Sequence, residues 1–271
     1  MGNLSNSPGR DTTADLLERG YEMILVTDID VWGFQHAIRG MRNPMNSWEK
    51  SDTRWCGDWE CDPDGTCQFR TEHGCDGSPG GCVLGDADSD LMHRLFKAGT
   101  EHRKYMRQIF VSMDIIAPLY WWKEFDTYKV GTTANSCSTM HKIMSKEFVL
   151  DDFSHDRVSE PDAAAWFMDT VNLLNQIRNI YLEAEGDKKK KRLWYTLIQM
   201  LPSSYNQRRT VTISYENAAA MIRQRTGHKL DEWRVFVDQL KGLPHMDTII
   251  NGDWGEYADN DTAQSGLSSA T

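Results

Sequence analysis

The sequence predicts an α+β fold with helix in excess: a mixed or antiparallel sheet packed with helices and interrupted by an irregular Cys-rich insertion. Three observations predict it. Apolar residues recur at helical spacing along most of the C-terminal half. Ile109, Val111, Met113 and Ile115 alternate with Phe110, Ser112 and Asp114, the period-two pattern of a strand. Residues 46–88 are rich in Gly, Asp, Cys and Pro with little periodicity, and an ordinary loop is not that long.

In chain order, Tyr21–Thr27 is a short apolar strand, and a helix follows over Val31–Arg42. After the insertion, Asp88–Ala98 is helical, with Leu91, Leu95 and Ala98 on one face and Gly99 as its stop. Ala117-Pro118 is expected to break the strand at 109–115, and Leu119–Tyr128 forms a short helix leading into the polar stretch Lys129–His141. Asp162–Glu183 is the clearest helix. Ser159 and Asp162 read as its capping pair, Trp166, Val171, Leu174, Ile177 and Tyr181 as its apolar face, and Gly186 as its end. A second helix runs from Asp187 to Leu201 before Pro202; its Lys188–Arg192 run reads as a solvated face, with phosphate binding as the alternative. Two more cover Ser214–Thr226 and Lys229–Lys241, with Pro244 beyond. Residues 1–15 and 251–271 are small and polar and read as disordered tails around a single domain at 16–250.

A chain of 271 residues can enclose a sizeable core. Its net charge of −10 argues against broad contact with nucleic acid. No apolar run approaches the roughly 18–20 residues of a membrane span. The first residues lack the apolar stretch of a secretory signal, so the expected location is cytoplasmic.

Three stretches concentrate polar chemistry. Thr127–His141 holds Lys129, a series of hydroxyls, Asn135 and Cys137, a composition suited to phosphate or to a plain surface loop. Leu201–Thr212 pairs Arg208 and Arg209 with Ser, Tyr, Asn and Gln. In Arg223–Arg234, Arg225, His228 and Glu232 would share one helical face, either reading a base edge or forming a surface salt-bridge ladder. P-loop, dinucleotide-turn, HExxH and Ser-His-Asp signatures are absent.

The order of these motifs resembles the flavin-dependent thymidylate synthases, the ThyX family. The turn Gly99-Thr100-Glu101-His102 stands where the family has a Gly-His-Glu turn, and a strand ending in Ala117-Pro118 follows. The family signature Arg-His-Arg-x-x-Ser-x-Asn-x-x-Ser-x-Arg-Tyr falls on Thr127–His141, with Thr132, Asn135 and Ser138 at its Ser, Asn and Ser. Leu201-Pro202 matches the late Leu-Pro, and Arg225, His228 and Glu232 match the late Arg and the run behind it. Thr127, Tyr128 and Lys129 replace Arg-His-Arg, Met140-His141 replaces Arg-Tyr, and Ser214 stands at the family's flavin-contacting Asn.

The resemblance implies reductive methylation of dUMP with methylenetetrahydrofolate, NADPH and FAD, in a homotetramer whose subunits share their sites. It implies Arg225 as the catalytic residue that polarises the pyrimidine. Lys129, Thr132, Asn135, His102 and Ser214 would contact FAD, and Glu124, Ser136, Ser138, Arg208 and Arg225 would contact nucleotide. Arg208, Arg209 and His141 would stand in for the lost signature arginines. Cys137 reads as a bystander thiol. The alternatives are a non-catalytic deoxynucleotide-binding homologue, a deoxyuridylate hydroxymethylating enzyme, and an interaction protein whose insertion carries the function.

Within that insertion, Cys56, Cys61, Cys67, Cys75 and Cys82 show no CxxC pair. A stretch this poor in apolar residues needs another source of stability. Structural zinc held by these thiols, disulfides and free thiols are the options.

Overall fold

The computed structural model describes residues 24–55 and 82–250. The elements in order are β1 (Leu25–Trp32), α1 (Phe34–Arg42), β2 (Arg54–Trp55), β3 (Cys82–Val83), α2 (Asp86–Lys97), β4 (Phe110–Pro118) and α3 (Leu119–Phe125). They continue with β5 (Thr132–Ser136), α4 (Thr139–Lys142), α5 (Pro161–Glu183), α6 (Asp187–Met200), β6 (Asn206–Ser214), α7 (Tyr215–Arg225), α8 (Asp231–Lys241) and α9 (Met246–Ile250). One four-stranded sheet has the order β1-β4-β6-β5, and β2 and β3 form a separate antiparallel ribbon. The class is α+β with antiparallel sheet, as the periodicities predict. No described helix is long and apolar enough to cross a membrane.

The chain divides into two compact units. One holds described residues 24–27, 114–127 and 134–210; the other holds 28–55, 82–113, 128–133 and 211–250. The first has a core in which Leu174 and Ile177 of α5 and Leu197 of α6 meet Phe148, Leu150 and Phe153. The second buries Phe34, Ala37, Ile38 and Met41 of α1, and Trp233, Phe236, Val237 and Leu240 of α8. Both sets follow the i, i+3, i+4, i+7 stripe of an amphipathic helix. Burying a side chain the size of Phe236 stabilises by about 1.5–3 kcal/mol.

Several boundaries differ from the sequence reading. β1 runs on through Val31 and Trp32, so α1 begins only at Phe34. Gly33 separates the two at φ 101°, and a Cβ there would lie 2.0 Å from the Gln108 carbonyl oxygen, so only glycine fits. The strand predicted over 21–27 begins at Leu25; Tyr21–Met23, the two tails and Cys56, Cys61, Cys67 and Cys75 lie outside the described residues. β4 stops at Ala117-Pro118, as expected, with both residues still in the strand. Pro118, extended at φ −70° and ψ 152°, ends the strand and opens α3, where a missing N–H costs nothing.

The polar stretch after α3 is not all loop, because it contains β5 and α4. β6 was missed because its outward residues, Arg208, Thr210 and Thr212, make it read as polar; Val211 and Ile213 are its buried face. α2 buries Asp88 and Met92 rather than Leu91, Leu95 and Ala98. α5 is entered through Glu160 and Pro161 with no side-chain cap, so the Ser159–Asp162 pairing is not made. Trp166 is 74% exposed and leaves the α5 core face to Ala164, Val171, Leu174 and Ile177. Gly186 precedes α6 rather than closing α5.

Candidate functional site

In the first unit, β6 and the segment after β5 line a cavity of about 340 Å³. The pairing is made by the Cys137 amide, which donates to the Arg208 carbonyl at 2.9 Å. The Gln207 side-chain amide donates to the Cys137 carbonyl at 3.0 Å and to Thr139 Oγ1 at 3.1 Å. Ser138 Oγ accepts from the His141 amide and caps α4. Ser138, Lys142, Lys146 and Arg208 bring polar and cationic groups to the walls, and Asp151 and Asp152 bring carboxylates. Lys146 pairs with Asp152. Tyr205, also on the wall, has its phenol pushed up by burial and by the charge of Asp152, so it stays a proton donor.

Arg208 and Arg209 are adjacent on β6 and therefore face opposite ways. Arg208 pairs with Asp114 of β4, which also accepts from Thr210 Oγ1 at 2.5 Å. Those two hydrogen bonds hold the Asp114 carboxyl below the usual range. Arg209 is committed elsewhere. Its guanidinium lies 4.1 Å from the Trp122 ring centroid and donates to Asp126 at 2.7 Å and to Gln207 Oε1 at 3.0 Å. It is a packing residue, while Arg208, 52% exposed, stands on the cavity wall.

In the second unit, Arg225 closes α7. Its Nε donates to Tyr128 Oη at 3.0 Å, and Tyr128 passes a hydrogen bond on to Gln224 Oε1 at 2.9 Å. Arg225 Nη1 meets His228 Nε2 at 3.1 Å, and the guanidinium stacks 4.6 Å from the Trp233 centroid. The shared helical face expected for Arg225, His228 and Glu232 does not exist. The helix stops at Arg225, Gly227 turns at φ 75°, and Glu232 is buried in the first turn of α8. Arg225 and His228 meet through this turn instead.

Thr132 and Ser214 also come together. Asn217 Nδ2 donates to Thr132 Oγ1 at 3.1 Å and to the Val130 carbonyl, while Ser214 Oγ accepts the Asn217 amide at 3.2 Å and caps α7. Gly131, at φ 73°, lies against the Asn217 side chain. Lys129, Asn135, Ser136 and His102 are exposed, and Glu124 is half-buried on α3. Sequence reasoning missed Asn217 and Asp114, which carry no motif signal; Gln207 was noticed only as a neighbour of the two arginines and Tyr128 only as a replacement.

Of the five thiols offered to a metal, Cys82 alone is described. It meets His245, whose Nε2 lies 3.1 Å from the Cys82 carbonyl oxygen and 3.6 Å from Sγ. Burial lowers the His245 imidazole below its ordinary value, against the pull of that carbonyl. Among the described residues no cluster of three metal-ligating side chains forms.

Two solved structures share the fold, both of thymidylate synthase X from Helicobacter pylori with FAD and dUMP. They match with TM-scores of 0.53 and 0.52 at 14% identity, covering 84% of this chain and 99% of theirs. At that identity the likeness is one of fold. No protein-family model and no curated protein matches the chain.

Proposed function

We propose that the chain is a dUMP-binding, flavin-dependent enzyme that makes dTMP by reductive methylation, with methylenetetrahydrofolate as carbon donor and NADPH as reductant. The observation that carries this reading is the cavity in the first unit. Ser138 and Arg208, both expected from sequence to hold nucleotide, line the same wall. Arg208 is a bidentate donor held by a carboxylate that an incoming phosphate can replace, and Lys142 adds positive charge. In the second unit Arg225 is held by Tyr128, His228 and Trp233, the kind of rigid support that a group polarising a pyrimidine carbonyl needs. The fold shared with two FAD- and dUMP-containing structures supports the same reading.

Of the residues offered to FAD, the exposed ones are those still available to its phosphates. Lys129 is an exposed cation, and Asn135 and His102 are exposed polar groups, whereas the hydroxyls of Thr132 and Ser214 already serve Asn217. Lys129 and His102 of the second unit would therefore contact the cofactor, with Thr132 and Ser214 setting the backbone beside it; Asn135 belongs to the first unit. A bound flavin would supply the hydride; in the second unit Arg225 would orient and polarise a pyrimidine, and in the first Ser138 and Arg208 would hold a phosphate. The active form is a homotetramer in the cytoplasm, with sites completed across subunits.

The test is the visible spectrum of the purified protein before and after FAD addition and desalting, followed by dUMP calorimetry. A retained flavin band with dUMP binding is the expected result. A protein that takes up dUMP but no FAD would instead be a nucleotide-binding homologue, which the prior engagement of Thr132 and Ser214 favours. A protein that takes up neither overturns both readings.

A further inference from the structure

A second cavity, of about 260 Å³, lies in the unit that holds Arg225 and is lined by α1 and the segment after it. Gln35, His36, Arg39 and Arg42 come from α1, and Trp48, Ser51 and Trp55 from the chain that follows. Arg42 is only 4% exposed. Its Nε donates to Asp88 at 2.6 Å and its Nη1 to the Ser47 carbonyl at 3.3 Å, but its Nη2 has no hydrogen-bond partner among the described residues. A buried donor left unmatched is costly, and in native proteins it usually marks a ligand or an ordered water. Among the described residues no carboxylate lines the cavity. Asp88, which Arg42 pairs with, is itself filled by Ser51 Oγ, both donors of Thr53 and the Asp52 amide. Arg39 adds an exposed guanidinium on the same wall.

The walls also carry two indoles. Trp48 is 49% exposed, yet its ring is held in place because Nε1 donates to Asn43 Oδ1 at 2.8 Å. An exposed, oriented indole is a flat stacking surface. The volume sits below the usual range for drug-sized ligands, about 300–1,000 Å³, and so suits a single ring.

We propose that this cavity binds a small planar ring carrying an oxyanion, carboxylate or phosphate, with Arg42 and Arg39 holding the anion and Trp48 stacking on the ring. This site is independent of the nucleotide reading above.

The test titrates the full-length protein with benzoate, phenyl phosphate and inorganic phosphate, read by tryptophan fluorescence and calorimetry. Phenyl phosphate or benzoate is expected to bind saturably and more tightly than inorganic phosphate, and the tighter of the two identifies the anion. Arg39→Gln should weaken binding by about tenfold or more, the scale of one charged hydrogen bond. Trp48→Ala should erase the preference for the ring. Both residues are exposed, so both variants are expected to fold. Absence of saturable binding, equal affinity for inorganic phosphate, or indifference to both substitutions would overturn the proposal.

Discussion

Asp88 accepts from an arginine, two hydroxyls and two backbone amides; Asp114 accepts from an arginine and one hydroxyl. The donors are alike and the surroundings are not. Asp88 and Arg42 have 0% and 4% of their side chains exposed, whereas Asp114 and Arg208 have 16% and 52%. Burial alone would raise the Asp88 carboxyl, but the hydrogen bonds from Thr53, Ser51 and Arg42 outweigh it and hold the group ionised. Taking away either partner there strands a charge in the interior. At Asp114 water can replace any partner, so the pair contributes little to stability and Arg208 can turn to an anion in the cavity. Similar side chains thus make a fixed clasp in one place and a movable arm in the other.

The sharpest way to break this contrast is to remove each carboxylate. Asp88→Ala leaves Arg42 buried without its anion and should cost about 3–5 kcal/mol in urea unfolding. Asp114→Ala should shift the midpoint no more than the scatter between preparations. Equal losses would mean that burial does not separate the two.

Ligand binding should reverse the ranking. Arg208→Ala and Arg225→Ala should each weaken dUMP by about 1.5–3 kcal/mol by calorimetry, the loss of a charged hydrogen bond. Unchanged affinity in either variant refutes the role assigned to that arginine, and the unfolding midpoint of Arg208→Ala should stay near that of the parent.

Acid should act on the clasp next. The Asp88 carboxyl lies below its ordinary value of 3.8 in the folded protein, so the unfolded chain binds the proton first. The stability it contributes is present above pH 3.8 and is lost as pH falls through the folded value. Urea unfolding between about pH 5 and pH 3 should show this loss in the parent and not in Asp88→Ala.

The smallest effect belongs to His245. Its imidazole lies below the ordinary 6.5 because burial disfavours the charged form. Stability should be flat above pH 6.5 and fall as pH drops below it, because the unfolded chain protonates first. His245→Gln should flatten that step.

Much of the helical layer was legible because an apolar stripe is a local signal. Trp233, Phe236, Val237 and Leu240 announce α8 without reference to anything else. β6 was not legible. Its outward row of Arg208, Thr210 and Thr212 is polar because it meets Ser112 and Asp114 across the sheet, a pairing between residues about 100 apart in the chain that no short window contains. The corner at Arg225 was half legible. Its neighbours in sequence are its neighbours in space, but Gly227 turns the chain where a continuous helix was expected. Arg42 gave no signal at all, since an orphaned nitrogen exists only once Asp88 and Ser47 have claimed the rest of the guanidinium.

The ribbon that pairs Arg54 with Val83 and Trp55 with Cys82 leads to a different kind of consequence. Directly opposed residues in such a pair stand about 4.5–5.5 Å apart, a gap that a two-residue hairpin turn closes. Trp55 and Cys82 are therefore held side by side, and Asp88 latches the strand before them through Ser51, Asp52 and Thr53. A change in the length of chain between these two partners would leave the distance from α1 to α2 as the ribbon sets it. Loop-closure entropy grows only slowly with length, so such a change is nearly neutral for the host fold, and the ribbon is a natural place to graft a foreign module.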